Sequence, residues 1–139
     1  MITMSTHTVV QYMKAKFPSM SSYMKNGTID KKSPQSIGIL MGSDSRSKGK
    51  LDIGGIDATV VRMLPVNIHV RWGTDQQIFD NKCLEIYNAL LLEDANFVIE
   101  EANQKIACIE VLDGAHICLN RDDKNICEAL IRANFYYYV

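Results

Sequence analysis

The stretch Pro65–Trp72, Pro-Val-Asn-Ile-His-Val-Arg-Trp, decides the fold because its apolar and polar residues alternate. The valines, the isoleucine and the tryptophan fall on one side of an extended chain. The asparagine, the histidine and the arginine fall on the other side. The alternation extends back to Ala58, with Arg62 as an exception. The pattern predicts a strand over Ala58–Trp72 with one buried face and one polar face.

A helix is predicted directly after this strand. Thr74 stands at the N-cap position and Gln77 at the third helical position, which is the spacing of a capping box. We expect the helix to end near Leu92. Its apolar stripe recurs at helical spacing and consists of Ile78, Phe79, Cys83, Ile86, Leu90 and Leu91.

A shorter helix is predicted near the beginning of the sequence, over Thr6–Phe17. Its apolar residues recur at helical spacing, and either Thr6 or Thr8 is placed to cap it. Pro18 prevents the helix from continuing, since a proline inside a helix removes a backbone donor and clashes with the preceding turn.

Two short extended segments are predicted between this helix and the central strand. Asn26-Gly27 is a strong turn signal with apolar residues on both sides, which favours a hairpin within Ser19–Ser33. The run Ser36–Gly42 has the length and composition of a buried strand.

The last third of the sequence is predicted to consist of strands. Asp113-Gly114 has the composition of a two-residue hairpin turn. The strands are expected at Asn96–Ile99, Gln104–Leu112 and Ala115–Asn120 and in the run that begins at Cys127, and they form an antiparallel meander. The predicted fold class is therefore α+β: a mixed, mainly antiparallel sheet with two helices packed on one face.

The segment Gly42–Gly55 is the most conspicuous irregular stretch. Its glycines, serines and alternating charges cannot build a core, so residues 43–55 are expected to form an exposed loop within a single domain over residues 1–139. We expect this loop to contact a partner protein. The predicted contact residues are Asp44, Arg46, Lys48 and Lys50.

Charge is distributed unevenly along the chain. Residues 1–50 contain eight lysines and arginines and two acids, a balance of +6, whereas residues 51–139 contain seven and fourteen, a balance of −7. Their sum is the net charge of −1. Two oppositely charged surfaces would favour association, either with further copies or with different partners, if the halves occupy separate faces.

The sequence shows no motif typical of a catalytic, metal-binding or cofactor-binding site. The four cysteines form no C-x-x-C pair and lie in apolar runs, which is typical of core residues. Neither a phosphate-binding loop nor a nucleophile elbow occurs in the sequence. No catalytic, metal-binding or cofactor-binding residue is predicted, and we expect a protein that is not an enzyme. The enzymatic alternative would need dispersed residues such as His69 and His116.

The length of 139 residues excludes a large multi-domain enzyme. No apolar run approaches the roughly 18 residues of a membrane span, and the beginning of the sequence has no secretory pattern. We therefore expect an intracellular protein with no membrane partner.

The last predicted strand carries a face of mixed polarity. Tyrosine-rich patches are favoured at protein–protein interfaces because each ring offers apolar area and a polar hydroxyl. The predicted subunit interface consists of Leu130, Arg132, Tyr136 and Tyr138.

Over roughly three quarters of its length, the sequence resembles the phage minor capsid or tail terminator (tail completion) family. The resemblance lies in the order of elements and in five segments: Ser-Ile-Gly-Ile-Leu-Met-Gly (Ser36–Gly42), Gly54-Gly55, Pro65–Trp72, Glu-Ile-Tyr-Asn-Ala-Leu (Glu85–Leu90) and the closing strand Glu128–Tyr137. The first 35 residues match no pattern of the family.

The resemblance implies a structural virion protein of a long-tailed phage or prophage. Such proteins are α+β sheets flanked by helices, and they assemble as a homohexameric ring that terminates the tail tube and joins the tail to the head. The implied partners are the tail tube protein and the head-closure or connector proteins, with DNA only passing through the ring lumen. The implied location is the tail–head junction of the virion, with the host cytoplasm during assembly. Two alternatives remain open: a head-closure or connector component, or a small non-viral α+β module that binds a ligand or peptide.

Overall fold

The chain folds into a sheet with two α-helices, and the structure, a computed structural model, describes residues 5–42, 61–91, 97–99, 104–112, 120–121 and 125–138. The helices are α1 (Thr6–Lys16) and α2 (Gln76–Leu91), and a short 3-10 helix covers Pro18–Tyr23. The strands are β1 (Met24–Asn26), β2 (Gln35–Met41), β3 (Val61–Trp72), β4 (Phe97–Ile99), β5 (Gln104–Val111), β6 (Asn120–Arg121) and β7 (Cys127–Tyr138).

The sheet is built around the two longest strands, β3 and β7. They pair antiparallel from Val61, opposite Tyr138, to Arg71, opposite Glu128. The strand order is β1-β2-β3-β7-β5-β4, and β6 also pairs with β7. Only the pair β1 and β2 is parallel among the described strands, and the other pairs are antiparallel. The predicted α+β class with a mixed, mainly antiparallel sheet is confirmed.

The two faces of the sheet differ in what covers them. The inner face carries the alternating apolar residues of β2, β3 and β7, and both helices pack on it. The ring of Tyr12 in α1 meets the ring of Phe135 in β7 edge to face, with centroids 5.7 Å apart. Four residues of α2 enter the same hydrophobic cluster: Phe79, Cys83, Ile86 and Leu90. The packing of both helices on one face is confirmed.

The opposite side is called the outer face here. It consists of the alternate residues of β2, β3, β5 and β7, whose positions follow from the strand registers. Its described members on the two central strands are Met63, Pro65, Asn67, His69 and Arg71 in β3 and Glu128, Leu130, Arg132, Asn134, Tyr136 and Tyr138 in β7.

The hairpin expected within Ser19–Ser33 is wrong. Pro18 opens a 3-10 helix instead, and the segment after it becomes β1, which pairs parallel with β2. Parallel strands need a crossover between them. Residues 27–34 form this crossover. Asn26-Gly27 is therefore the start of a longer connection between two parallel strands and not a tight hairpin turn.

Both helices are capped by residues other than the predicted ones. The Oγ atom of Ser5, and not that of Thr6 or Thr8, accepts a hydrogen bond from the Thr8 amide at 3.4 Å. In α2, Asp75 replaces Thr74, because the Oδ1 atom of Asp75 accepts hydrogen bonds from the Gln77 amide at 2.9 Å and the Ile78 amide at 3.3 Å. A carboxylate at this position also interacts favourably with the positive end of the helix dipole.

The apolar stripe predicted for α2 is narrower in the structure. Ile78 and Leu91 are 52% and 50% exposed, whereas the other four predicted members are buried. Ile78 and Leu91 lie to either side of the buried stripe around the helix, so the sheet cannot cover them.

The predicted antiparallel meander is wrong in its strand pairing. A meander would pair β5 with the next predicted strand, Ala115–Asn120, whereas β5 lies between β4 and β7. β6 pairs with the beginning of β7 and β5 with its later part, so both lie along the same edge of β7. Asp113-Gly114 and most of Ala115–Asn120 lie outside the described residues.

The predicted core position of the cysteines is correct for Cys83 and Cys127 and wrong for Cys108, which is exposed. A register shift between Ile106 and Cys108 reverses the alternation, so Ile106 faces the core while Cys108 lies on the outer face. Cys118 lies outside the described residues. Among the described helices, none combines the length and the apolar character that crossing a membrane requires.

Candidate functional site

The outer face is partly covered by the crossover of residues 27–34. A Cβ atom added to Gly38 in β2 would lie 2.5 Å from the carbonyl oxygen of Gly27 and 3.0 Å from the amide nitrogen of Ile29. The Oγ atom of Ser36 accepts a hydrogen bond from the Asp30 amide at 3.0 Å. The crossover therefore runs in direct contact with β2, and a residue with a side chain at position 38 would push it away.

Arg71 holds this crossover to the two central strands. Its Nε atom donates to the carbonyl oxygen of Ser33 at 2.8 Å, and its Nη2 atom donates to that of Lys31 at 3.2 Å. Its Nη1 atom donates to the Oε1 atom of Glu128 at 3.1 Å. The guanidinium is buried, so β3, β7 and the crossover meet at one ion pair that is largely shielded from water.

His69 lies beside this ion pair. Its Nε2 atom is 3.8 Å from the Oε2 atom of Glu128, and its side chain is 27% exposed. Burial lowers the pKa of His69 below its ordinary value of 6.5, and the nearby cations Lys31 and Arg71 act in the same direction. The negative charge of Glu128 opposes the shift without cancelling it. The structure therefore favours a neutral imidazole at this position.

A second polar cluster lies further along β7. The Oε1 atom of Glu110 in β5 accepts hydrogen bonds from the Nδ2 atom of Asn134 at 3.0 Å and from the hydroxyl of Tyr136 at 3.2 Å. Burial and the charge of Glu110 raise the pKa of the neighbouring Cys108 thiol. The cluster fixes the position of the Tyr136 ring, so this tyrosine has a structural role within the subunit.

The residues predicted as a subunit interface lie in a row on the outer face of β7. Tyr138 is 39% exposed and Arg132 is exposed, whereas Leu130 and Tyr136 are half-buried. Eight residues of extended chain separate Leu130 from Tyr138, so the row spans about 27 Å. The row combines aromatic, aliphatic and guanidinium groups on one surface.

The other predicted contact residues cannot be placed on this surface. Asp44, Arg46, Lys48 and Lys50 lie outside the described residues, as does the whole expected loop 43–55. His116, named for the enzymatic alternative, also lies outside them.

A shallow cleft occurs at the beginning of α2. Its volume is about 180 Å³, which is below the range of roughly 300–1,000 Å³ typical of small-molecule sites. It is lined by Gln35, Trp72, Gly73, Thr74, Asp75 and Ile78. Its single carboxylate caps the helix, so the cleft does not bring together groups for acid–base chemistry.

Within the described part of the chain, no group of three or more His, Cys, Asp or Glu side chains is arranged to hold a metal ion. The chain matches no protein-family model and no curated protein.

Sequence reasoning missed the ion pair between Arg71 and Glu128. The alternation of the strand places Arg71 on a polar face, yet its side chain is only 1% exposed. The two residues are 57 positions apart, and the register of β3 against β7 brings them opposite each other. The one sequence signal was a charged residue at the end of each of two long apolar strands.

Proposed function

We propose that this protein is a structural virion subunit of a long-tailed phage or prophage, forming a ring that terminates the tail tube and joins the tail to the head. The observation that carries the proposal is the row Leu130, Arg132, Tyr136 and Tyr138 on the outer face of β7. The resemblance in element order and segments supplies the family, and the α+β fold agrees with what that family implies.

The composition of the row supports an association surface. Tyrosine and arginine are enriched at protein–protein interfaces because they combine large contact areas with directed hydrogen bonds. The inner face is already occupied by the helices, whereas the exposed Arg132 and Tyr138 lie on the outer face, where another molecule can reach them. A ring subunit needs such a surface beyond those that complete its own fold.

The proposed partners are further copies of the chain, the tail tube protein and the head-closure or connector proteins. DNA would only pass through the lumen. Assembly would occur in the host cytoplasm, and the finished ring would lie at the tail–head junction. The proposed role is structural, and it assigns no reaction and no cofactor to the protein.

The test is the mass of the assembly in solution and on purified tail tubes. Light scattering should give about six chain masses for the wild type, either alone or after tail tubes are added. Tyr138→Asp combined with Arg132→Glu should abolish this assembly, and urea unfolding of the variant verifies that the subunit is still folded. Tyr136→Asp is a poorer probe because its carboxylate would face Glu110 and destabilise the subunit itself.

The matched control is Met41→Asp. Met41 is 65% exposed and lies on the inner side of β2. The substitution therefore places the same acid at a large apolar residue away from the outer face. It should leave the assembly intact.

A strictly monomeric wild type that also ignores tail tubes would overturn the proposal. Such a result would favour a small ligand- or peptide-binding module, and the cleft beside Trp72 would then be the first place to examine. Binding to heads without binding to tails would favour a head-closure or connector component.

A further inference from the structure

We propose that the ring is formed head to tail, with the outer surface of α2 in one copy docking on the outer face of the next copy. The inference rests on the proposed function, since it names the two surfaces that a ring-forming subunit would use. It is carried by the charge, the exposed apolar groups and the opposite placement of these two surfaces.

The outer face supplies a basic and partly apolar surface. Lys31 and Lys32 are exposed on the crossover, and Lys25 is exposed on β1 opposite Gly38. The exposed Arg132 continues the basic surface along β7, and Tyr138 adds an exposed ring. Glu128 is paired with the buried Arg71, whereas Glu110 keeps its negative charge because its hydrogen-bond donors, Asn134 and Tyr136, are neutral. Among the described residues of this face, the four exposed cations outnumber the exposed Asp30 and the half-buried Glu110.

The outer surface of α2 supplies the opposite charge. Asp75, Asp80 and Glu85 stand against the single cation Lys82 over residues 75–91. The ammonium of Lys82 is directed back over the Trp72 ring, 5.5 Å from its centroid, and lies 3.7 Å from a carboxylate oxygen of Glu85. The surface is acidic as a result.

α2 also leaves apolar groups in water. Ile78 and Leu91 are about half exposed although they are large aliphatic residues. They lie near the two ends of a helix of 16 residues, which spans about 24 Å. This length is close to the roughly 27 Å of the row from Leu130 to Tyr138. Both surfaces thus offer apolar groups over similar lengths together with opposite charges.

The position of the two surfaces determines the symmetry of the contact. α2 packs on the inner face, so its exposed side points away from the sheet in the direction opposite to the outer face. A molecule with complementary surfaces on opposite sides associates head to tail, and such heterologous contacts close into rings when the rotation between copies permits. A second copy is the partner that meets both requirements, because each copy carries both surfaces.

The experiment is a charge exchange between two variants. Lys25→Glu/Lys32→Glu makes the outer face acidic, and Asp80→Lys/Glu85→Lys makes α2 basic. Each variant alone should remain monomeric, because its two surfaces then carry the same sign of charge. An equimolar mixture should recover the wild-type mass, because each surface of one variant again meets its opposite in the other. Added salt should weaken the wild-type ring and the mixed ring alike.

Lys14→Glu/Lys16→Glu on α1 is the matched control, since it changes the net charge by the same amount outside both surfaces, and it should assemble like the wild type. Urea unfolding of every variant verifies that the monomers are folded. If both variants assemble like the wild type, or if neither alone assembles and mixing restores nothing, the head-to-tail contact is overturned while ring formation by the wild type still stands. A wild type that forms no ring, with or without tail tubes, overturns this inference together with the proposed function.

Discussion

Arg71 is a buried guanidinium that donates hydrogen bonds to two other parts of the chain, the crossover and β7. Burying an ion pair gains little free energy over an apolar pair of similar volume, but removing one partner leaves the other charge buried and unpaired. We therefore expect Arg71→Met to lower the free energy of unfolding by about 3–5 kcal/mol. The double variant Arg71→Met/Glu128→Leu should lose less than the sum of the two single variants. Urea titrations of the four proteins measure this coupling, and strictly additive losses would contradict it.

His69 adds a dependence on pH at the same place. Because burial holds its pKa in the folded chain below the 6.5 of the unfolded chain, both states are neutral above pH 6.5 and the full stability is present there. As the pH falls below 6.5, the unfolded chain takes up a proton first, so stability decreases until the lower pKa of the folded chain is reached. We expect the free energy of unfolding of His69→Gln to decrease less than that of the wild type between pH 7.5 and pH 5, as measured by urea titrations.

At the scale of single elements, the beginning of α2 depends on Asp75. Its carboxylate satisfies two backbone amides that would otherwise face solvent without an intrahelical partner. Asp75→Ala should cost about 0.5–2 kcal/mol of stability, as the loss of an N-cap does. Thr74→Ala should change stability by less than about 0.5 kcal/mol. Thermal unfolding of the two variants measures both losses. An equal or larger loss of stability for Thr74→Ala would indicate that Thr74 caps the helix, as the capping-box spacing predicts.

At the scale of the whole molecule, the beginning and the end of the chain meet in one core. Tyr12 near the start packs against Phe135 near the end, and the last strand lies in the middle of the sheet. The inner face is completed only when α1, α2 and β7 are all present. The basic and acidic halves of the sequence therefore fold together around one core.

The sequence by itself determined the fold class and most strands and helices. The alternation in Pro65–Trp72 and the helical spacing after Asp75 are local patterns, and local patterns report which side of an element is apolar. The row Leu130, Arg132, Tyr136 and Tyr138 came from the same alternation, since residues two apart in a strand share a face. The caps fall on other residues than predicted, Ser5 and Asp75, because several neighbouring side chains are able to cap a helix and the backbone selects one of them.

Only the tertiary structure decided what lies next to what. The pairing of Arg71 with Glu128 depends on the register of β3 against β7, and no local pattern contains the register between strands 57 residues apart. The crossover beside Gly38 connects two parallel strands. The composition of this polar segment fits a hairpin equally well, so the path of the chain is not evident from the sequence. The opposite placement of the α2 surface and the outer face follows from which face the helices cover, which is a property of the packed core. Alternation and spacing are set by neighbours along the chain, whereas register, crossover and layer order are set by contacts that form only when distant segments pack together.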